Sequence, residues 1–172
     1  ANEYGDLPDI YGTTVAANGA GHANDGTVYL GGSVDITENN GAPSVSADGD
    51  DNADNDDEDG VTFLTPLHAG VKATIEVEIP EDGYLHGWID FDADGVLDPI
   101  NLSAVDGLPT GGSLNDFNLT SGTYEITFVV PANAAITQTI CSRFRFTTDD
   151  TAGALGTTGS WPNGEVEDYA LV

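Results

Sequence analysis

Cations are nearly missing from this chain: 172 residues hold 3 Lys plus Arg against 30 Asp plus Glu, a formal net charge of −27. The three are Lys72, Arg143 and Arg145. Binding to a phosphate backbone requires clusters of Lys and Arg, so nucleic acid is close to excluded as a partner. An anionic membrane surface is excluded for the same reason. The single cysteine, Cys141, rules out an internal disulfide. In a secreted protein, stability then falls to the core and to bound metals. No apolar run reaches the roughly 18 residues of a membrane-spanning helix. Methionine and any signal-peptide pattern are also absent. The expectation is a single module over 1–172, excised from a longer exported protein. Helical periodicity is scarce, with one turn at most over 132–138.

What remains is strand-like. The length suffices to bury roughly 70 % of the unfolded surface, and 39 % hydrophobic residues can fill a core. Val71, Ala73, Ile75, Val77 and Ile79 alternate with polar residues, the period of a half-buried strand. Tyr124, Ile126, Phe128 and Val130 do the same until Pro131 stops them. Ile140, Ser142, Phe144 and Phe146 form a third face opposite Cys141, Arg143 and Arg145. Further strands are expected over 28–36, 60–64, 84–91 and 166–172. Segments 16–26, 46–60 and 97–118 read as loops. Short strands separated by turn signals predict an all-β fold, an antiparallel β-sandwich with long metal-binding loops.

The carboxylates come in three bunches. Asp90, Asp92 and Asp94 followed by Gly95 place three hard oxygen donors on one tight loop, a pattern suited to Ca²⁺. Val96 would add its carbonyl and Asp98 the next ligand. Position twelve of the loop is Asn101 rather than a bidentate Glu, and the flanks read as strand, so it is a calcium-type loop and no EF-hand. The plainer alternative is an Asp-rich turn capped by its own side chains. The second bunch packs eight carboxylates into residues 48–60. Such a run is ordinarily a solvated loop, yet it leads into Gly60-Val61-Thr62-Phe63, and Asp56, Glu58 and Asp59 are its candidate ligands. The third is Glu165, Glu167 and Asp168. Neighbours on a strand face opposite sides, so at least one carboxylate lies inward and needs a metal, an arginine or backbone donors. A cross-strand pair of the Arg145–Glu167 type is one solution; an open Arg143/Arg145 face receiving an anionic ligand is the other.

Five ordered motifs carry a resemblance. Tyr-Gly-Asp-Leu-Pro-Asp-Ile-Tyr-Gly-Thr (4–13), Tyr-Leu-Gly-Gly-Ser-Val-Asp (29–35), Asp-Asp-Glu-Asp-Gly-Val (56–61), Trp-Ile-Asp-Phe-Asp-Ala-Asp-Gly (88–95) and Gly-Glu-Val-Glu-Asp-Tyr (164–169) together resemble the GEVED domain. The resemblance implies an extracellular β-rich module of very large bacterial surface proteins, set among adhesin and calcium-dependent repeat domains. Some calcium-dependent adhesins of that kind carry a ligand-binding module that captures peptides. It implies functional weight for Asp90, Asp92, Asp94, Asp56, Asp59, Glu165, Glu167 and Asp168, less for Asp6 and Asp9, and it carries over no well-defined enzymatic activity.

The functional expectation is therefore a calcium-dependent, monomeric module of a bacterial adhesin, holding several Ca²⁺ ions and binding a peptide or glycan on a target cell surface. Such ions, or the salt of a marine habitat, would offset self-repulsion. Trp88 and Trp161 could stack on a sugar or cover a peptide, with Arg143, Arg145 and His22 as partners for a ligand carboxylate. Their alternatives are core or loop packing for the tryptophans and simple exposure for His22. The competing reading is a spacer rigidified by calcium, with no ligand of its own. Catalysis is not expected: no nucleophile elbow or His-Glu-x-x-His motif occurs, and carboxylates bunched in threes are a metal pattern rather than an acid/base pair.

Overall fold

The computed structural model describes residues 2–33, 38–49 and 58–171. Thirteen strands follow in order: β1 (Asn2–Tyr4), β2 (Gly21–Ala23), β3 (Val61–Phe63), β4 (Lys72–Ile79), β5 (Gly83–Ile89), β6 (Asp98–Pro99), β7 (Leu102–Val105), β8 (Leu108–Pro109), β9 (Phe117–Leu119), β10 (Gly122–Val129), β11 (Ile140–Thr147), β12 (Ser160–Trp161) and β13 (Glu165–Leu171). The fold is an all-β sandwich. One antiparallel sheet runs β3-β4-β10-β7-β8; the other runs β13-β11-β5-β6, with β9 also on β5.

Period-two alternation drives the sandwich. Ile75, Val77 and Ile79 from β4 and Ile126 and Phe128 from β10 meet Leu85, Ile89, Phe144 and Phe146 from the facing sheet. The three strongest sequence periodicities thus fall on β4, β10 and β11 with the expected face inward, except that Val71 precedes β4 and is exposed. Burial of such faces is the main stabilising term of the fold.

A third layer was not legible. β1, β2 and β12 make a small sheet, β2 and β12 running parallel. It lies against the outer face of β11 and β13, so β11 is buried on both sides along all its length. Leu7, Trp88, Leu97 and Cys141 form a second apolar cluster there.

Three local expectations need correction. Segment 97–118 is not a bare connection, because β6, β7, β8 and the start of β9 lie within it. Segment 16–26 contains β2. Residues 28–33 form bends and turns rather than a strand, and 34–36 lie outside the described residues. Among the described residues no helix is long and apolar enough to cross a membrane.

Candidate functional site

The end of β5 delivers the first acidic bunch. Asp90 is fully buried, and its N–H donates to the Cys141 carbonyl at 2.9 Å. Its carboxylate folds the loop back on itself, taking the N–H of Asp94 at 3.1 Å and of Gly95 at 2.9 Å. Left-handed backbone at Ala93 (φ 58°) and Gly95 (φ 89°) makes the turn possible. Tyr11 donates its hydroxyl to the same carboxylate at 2.6 Å. Burial, with that bond, holds the Tyr11 phenol protonated well above its ordinary range. Nothing in the spacing of the sequence points to Tyr11, since 79 residues separate it from its partner.

Asp90, Asp92 and Asp98 place one carboxylate oxygen each within 4.8 Å of one another, the one such group among the described residues. Asp92 Oδ1 is buried and has no hydrogen-bond donor. Desolvation first, then the charges of neighbouring aspartates, push the Asp92 and Asp98 carboxyls above their ordinary value. Asp94 is exposed and accepts the Val96 N–H at 2.9 Å, outside the converging set. Val96 is 57 % exposed. The donor set therefore fits a hard divalent cation: convergent anionic oxygens, one of them unsatisfied, on a loop held rigidly from behind.

The described members of the other two bunches lie outside this converging group. Asp59 is exposed and accepts the Gly32 N–H at 2.9 Å. Glu58 is half-buried, and Asp56 lies outside the described residues. Asp6 takes the Gly49 N–H, and Asp9 takes those of Thr13 and Thr14.

On β13, alternation sends Glu165 and Glu167 toward the sandwich core and Asp168 toward the third layer, and all three are fully buried. Glu165 accepts the Leu30 N–H at 2.5 Å, and Glu167 accepts the Gly60 N–H at 2.9 Å and the Tyr169 hydroxyl at 2.7 Å. Asp168 accepts the N–H groups of Asp6 and Leu7, each at 2.9 Å, and both of its oxygens meet Arg143 at 2.8 Å. The expected Arg145–Glu167 pair does not form; the arginine pair is Arg143–Asp168. Register decides it, setting Arg145 opposite Val166 and Phe144 opposite Glu167. As placed, these carboxylates gather backbone donors, and none joins the converging group at Asp90.

Gly164 opens this motif at φ 114°, and a Cβ there would stand 1.9 Å from the Phe146 carbonyl oxygen and 2.8 Å from His22 Nδ1. The Gly-Glu-Val-Glu-Asp run is thus a packing and hydrogen-bonding unit that ties the last strand to segments far upstream. The chain belongs to the GEVED domain family. The family model matches residues 84–172, which hold all of β5 but its first residue, β6 through β13, the Asp90 loop and the closing motif. No curated protein matches the chain. No solved structure matches it either.

Three expected ligand contacts are corrected by burial. Arg143 and Arg145 are fully buried and present no open face. Arg143 donates to the carbonyls of Tyr11, Gly12 and Thr157 besides Asp168, and Arg145 to those of Gly21, Gly156, Thr158 and Gly159. His22 is 1 % exposed rather than a surface histidine. It accepts the Arg145 Nε–H at 3.0 Å, and desolvation holds its pKa well below the ordinary value. Trp88, 7 % exposed, stacks on the His86 ring at 6.1 Å inside the second cluster, so packing is its role. Trp161 is half-buried on β12, in register with His22.

Proposed function

We propose that this GEVED domain is a calcium-dependent recognition module of a bacterial surface adhesin, exposed outside the cell, and that its ligand is a peptide. The observation that carries the reading is the convergence of Asp90, Asp92 and Asp98 with Asp92 Oδ1 lacking a donor. Asp90, Asp92 and Asp98 would hold the ion, which would supply positive charge at this loop. With Arg143 and Arg145 consumed inside, a ligand carboxylate has no arginine to meet.

A peptide fits the surroundings better than a glycan. Ile10, 72 % exposed, reaches the loop, its Cδ1 standing 2.8 Å from where a Gly95 Cβ would be. Depressions of ≈ 420 and ≈ 400 Å³ lie beside it, both lined by Ile10, Tyr11 and Gly95. Exposed aliphatic side chains suit peptide side chains, whereas a sugar wants an open aromatic face, and Trp88 is not open. The test is a binding screen in millimolar calcium and in EGTA, with immobilised peptides beside glycans. Peptide binding lost in EGTA supports the reading. A domain that melts earlier in EGTA but binds nothing is the calcium-rigidified spacer instead.

A further inference from the structure

One end of the sandwich departs from the charge of the rest. In a chain with 30 carboxylates, residues 60–75 and 126–148 contain none. The structure brings these two stretches together. They line an apolar groove of ≈ 460 Å³, walled by Phe63, Leu64, Leu67, Ile136, Ile140 and Leu171. That volume is in the range of small-ligand and side-chain pockets. Leu64, Val71, Val129 and Ile136 at this end are exposed, at 46 %, 53 %, 45 % and 42 %.

The positive charge is here too. Arg143 and Arg145 are buried, so Lys72 is the one side-chain cation of the sequence left at the surface. It makes no ion pair among the described residues. It opens β4 opposite Val129 of β10. The turn before it, closed by Val71 N–H on the His68 carbonyl at 3.1 Å, carries exposed His68, which also lines the groove. β3 and β13 each end their sheet beside this groove, with Phe63 and Leu171 at their termini.

We infer that this groove is a second docking surface, and that its occupant is an acidic segment of another polypeptide. An aliphatic side chain of that segment fills the groove, and an adjacent carboxylate sits at Lys72 and His68. Charge complementarity selects the occupant: an acidic segment is repelled over most of a surface of this sign, and Lys72 is the one exposed side-chain cation it can meet. Apolar burial supplies affinity, and the lysine supplies orientation. The site uses no residue of the Asp90 loop, so it stands or falls apart from the calcium reading.

The probe is the heptapeptide acetyl-Gly-Ser-Leu-Glu-Leu-Ser-Gly-amide, titrated into the ¹⁵N-labelled 172-residue chain in millimolar calcium. The expected result is saturable movement of amides in 63–68, 136–140 and Leu171, with those of 90–98 unmoved. Lys72→Glu, at an exposed position, should weaken binding about fivefold. Ile136→Asp should abolish it, as should serine for both leucines in the peptide. No movement at millimolar peptide, movement elsewhere, or full affinity in Lys72→Glu would overturn the inference. So would groove amides that respond to protein concentration rather than peptide, which would make the occupant a second copy. Calcium-induced shifts over 90–98, read in the same samples without peptide, report separately on the metal loop.

Discussion

His22 Nε2 accepts the Nε–H of Arg145 at 3.0 Å, while its Nδ1 lies 2.6 Å from the Asn163 carbonyl oxygen. Arginine can only donate, so Nε2 is unprotonated and Nδ1 carries the hydrogen. The pair fixes a neutral imidazole of one tautomer between the third layer and β11.

That tautomer gives the domain a pH dependence. Burial, then the Arg145 charge, hold the folded pKa of His22 well below 6.5, and burial lowers His86 as well. Below 6.5 the unfolded chain takes protons that the folded one refuses. Their contribution to stability is complete above 6.5 and is lost as pH falls toward the folded values, by up to about 1.4 kcal/mol per pH unit per histidine. Imidazole NMR of the folded domain should show His22 still neutral, with hydrogen on Nδ1, as the pH falls through 6.5. An imidazolium appearing with a midpoint near 6.5 would refute this.

Asp168→Asn should be the most damaging single change in the closing motif. It leaves the Arg143 guanidinium buried without its counter-charge, a loss of about 3–5 kcal/mol. For a domain of this size the midpoint should fall by roughly 6–20 °C. Calorimetry measures it, and a fall under a few degrees would contradict the clamp.

Gly164→Ala should cost about 3 kcal/mol or more, since a left-handed φ and a clash with the Phe146 carbonyl combine. Gly107→Ala is the control: it shares a positive φ of 76° but meets nothing within 4 Å. The two should separate clearly in chemical denaturation, with Gly164→Ala by far the weaker.

Calcium at tenfold excess over its dissociation constant should stabilise the domain by about 1.4 kcal/mol, a rise of roughly 3–6 °C. Asp92→Asn should lower the affinity by about tenfold, because ligand charge sets it. Glu165→Gln should lower the melting point by leaving the Leu30 N–H with a poorer acceptor, yet keep the calcium response. If Glu165→Gln removes that response and Asp92→Asn does not, the roles given to the two acidic groups are reversed.

Much of the fold was written locally. The alternation of Ile75, Val77 and Ile79 against Thr74, Glu76 and Glu78 requires a one-sided strand wherever it is placed. The same holds for Ile126 and Phe128. The short strands β6 to β8 escaped because two to four residues carry no period. Their pairing comes from hydrogen bonds to remote chain. The Asp-x-Asp-x-Asp-Gly spacing marked its own loop, although Asp98 rather than Asp94 completes the converging group.

By itself the sequence determined an all-β chain, an acidic surface poor in cations, and one tight aspartate loop, because period, charge and turn chemistry are properties of neighbours. Only the tertiary structure decided what Glu165, Glu167, Asp168, Arg143, Arg145 and His22 do. Their partners lie far off in the chain: Leu30 is 135 residues from Glu165, and Leu7 is 161 from Asp168. A buried charge takes its role from whichever donors the fold brings to it, and no local pattern records that.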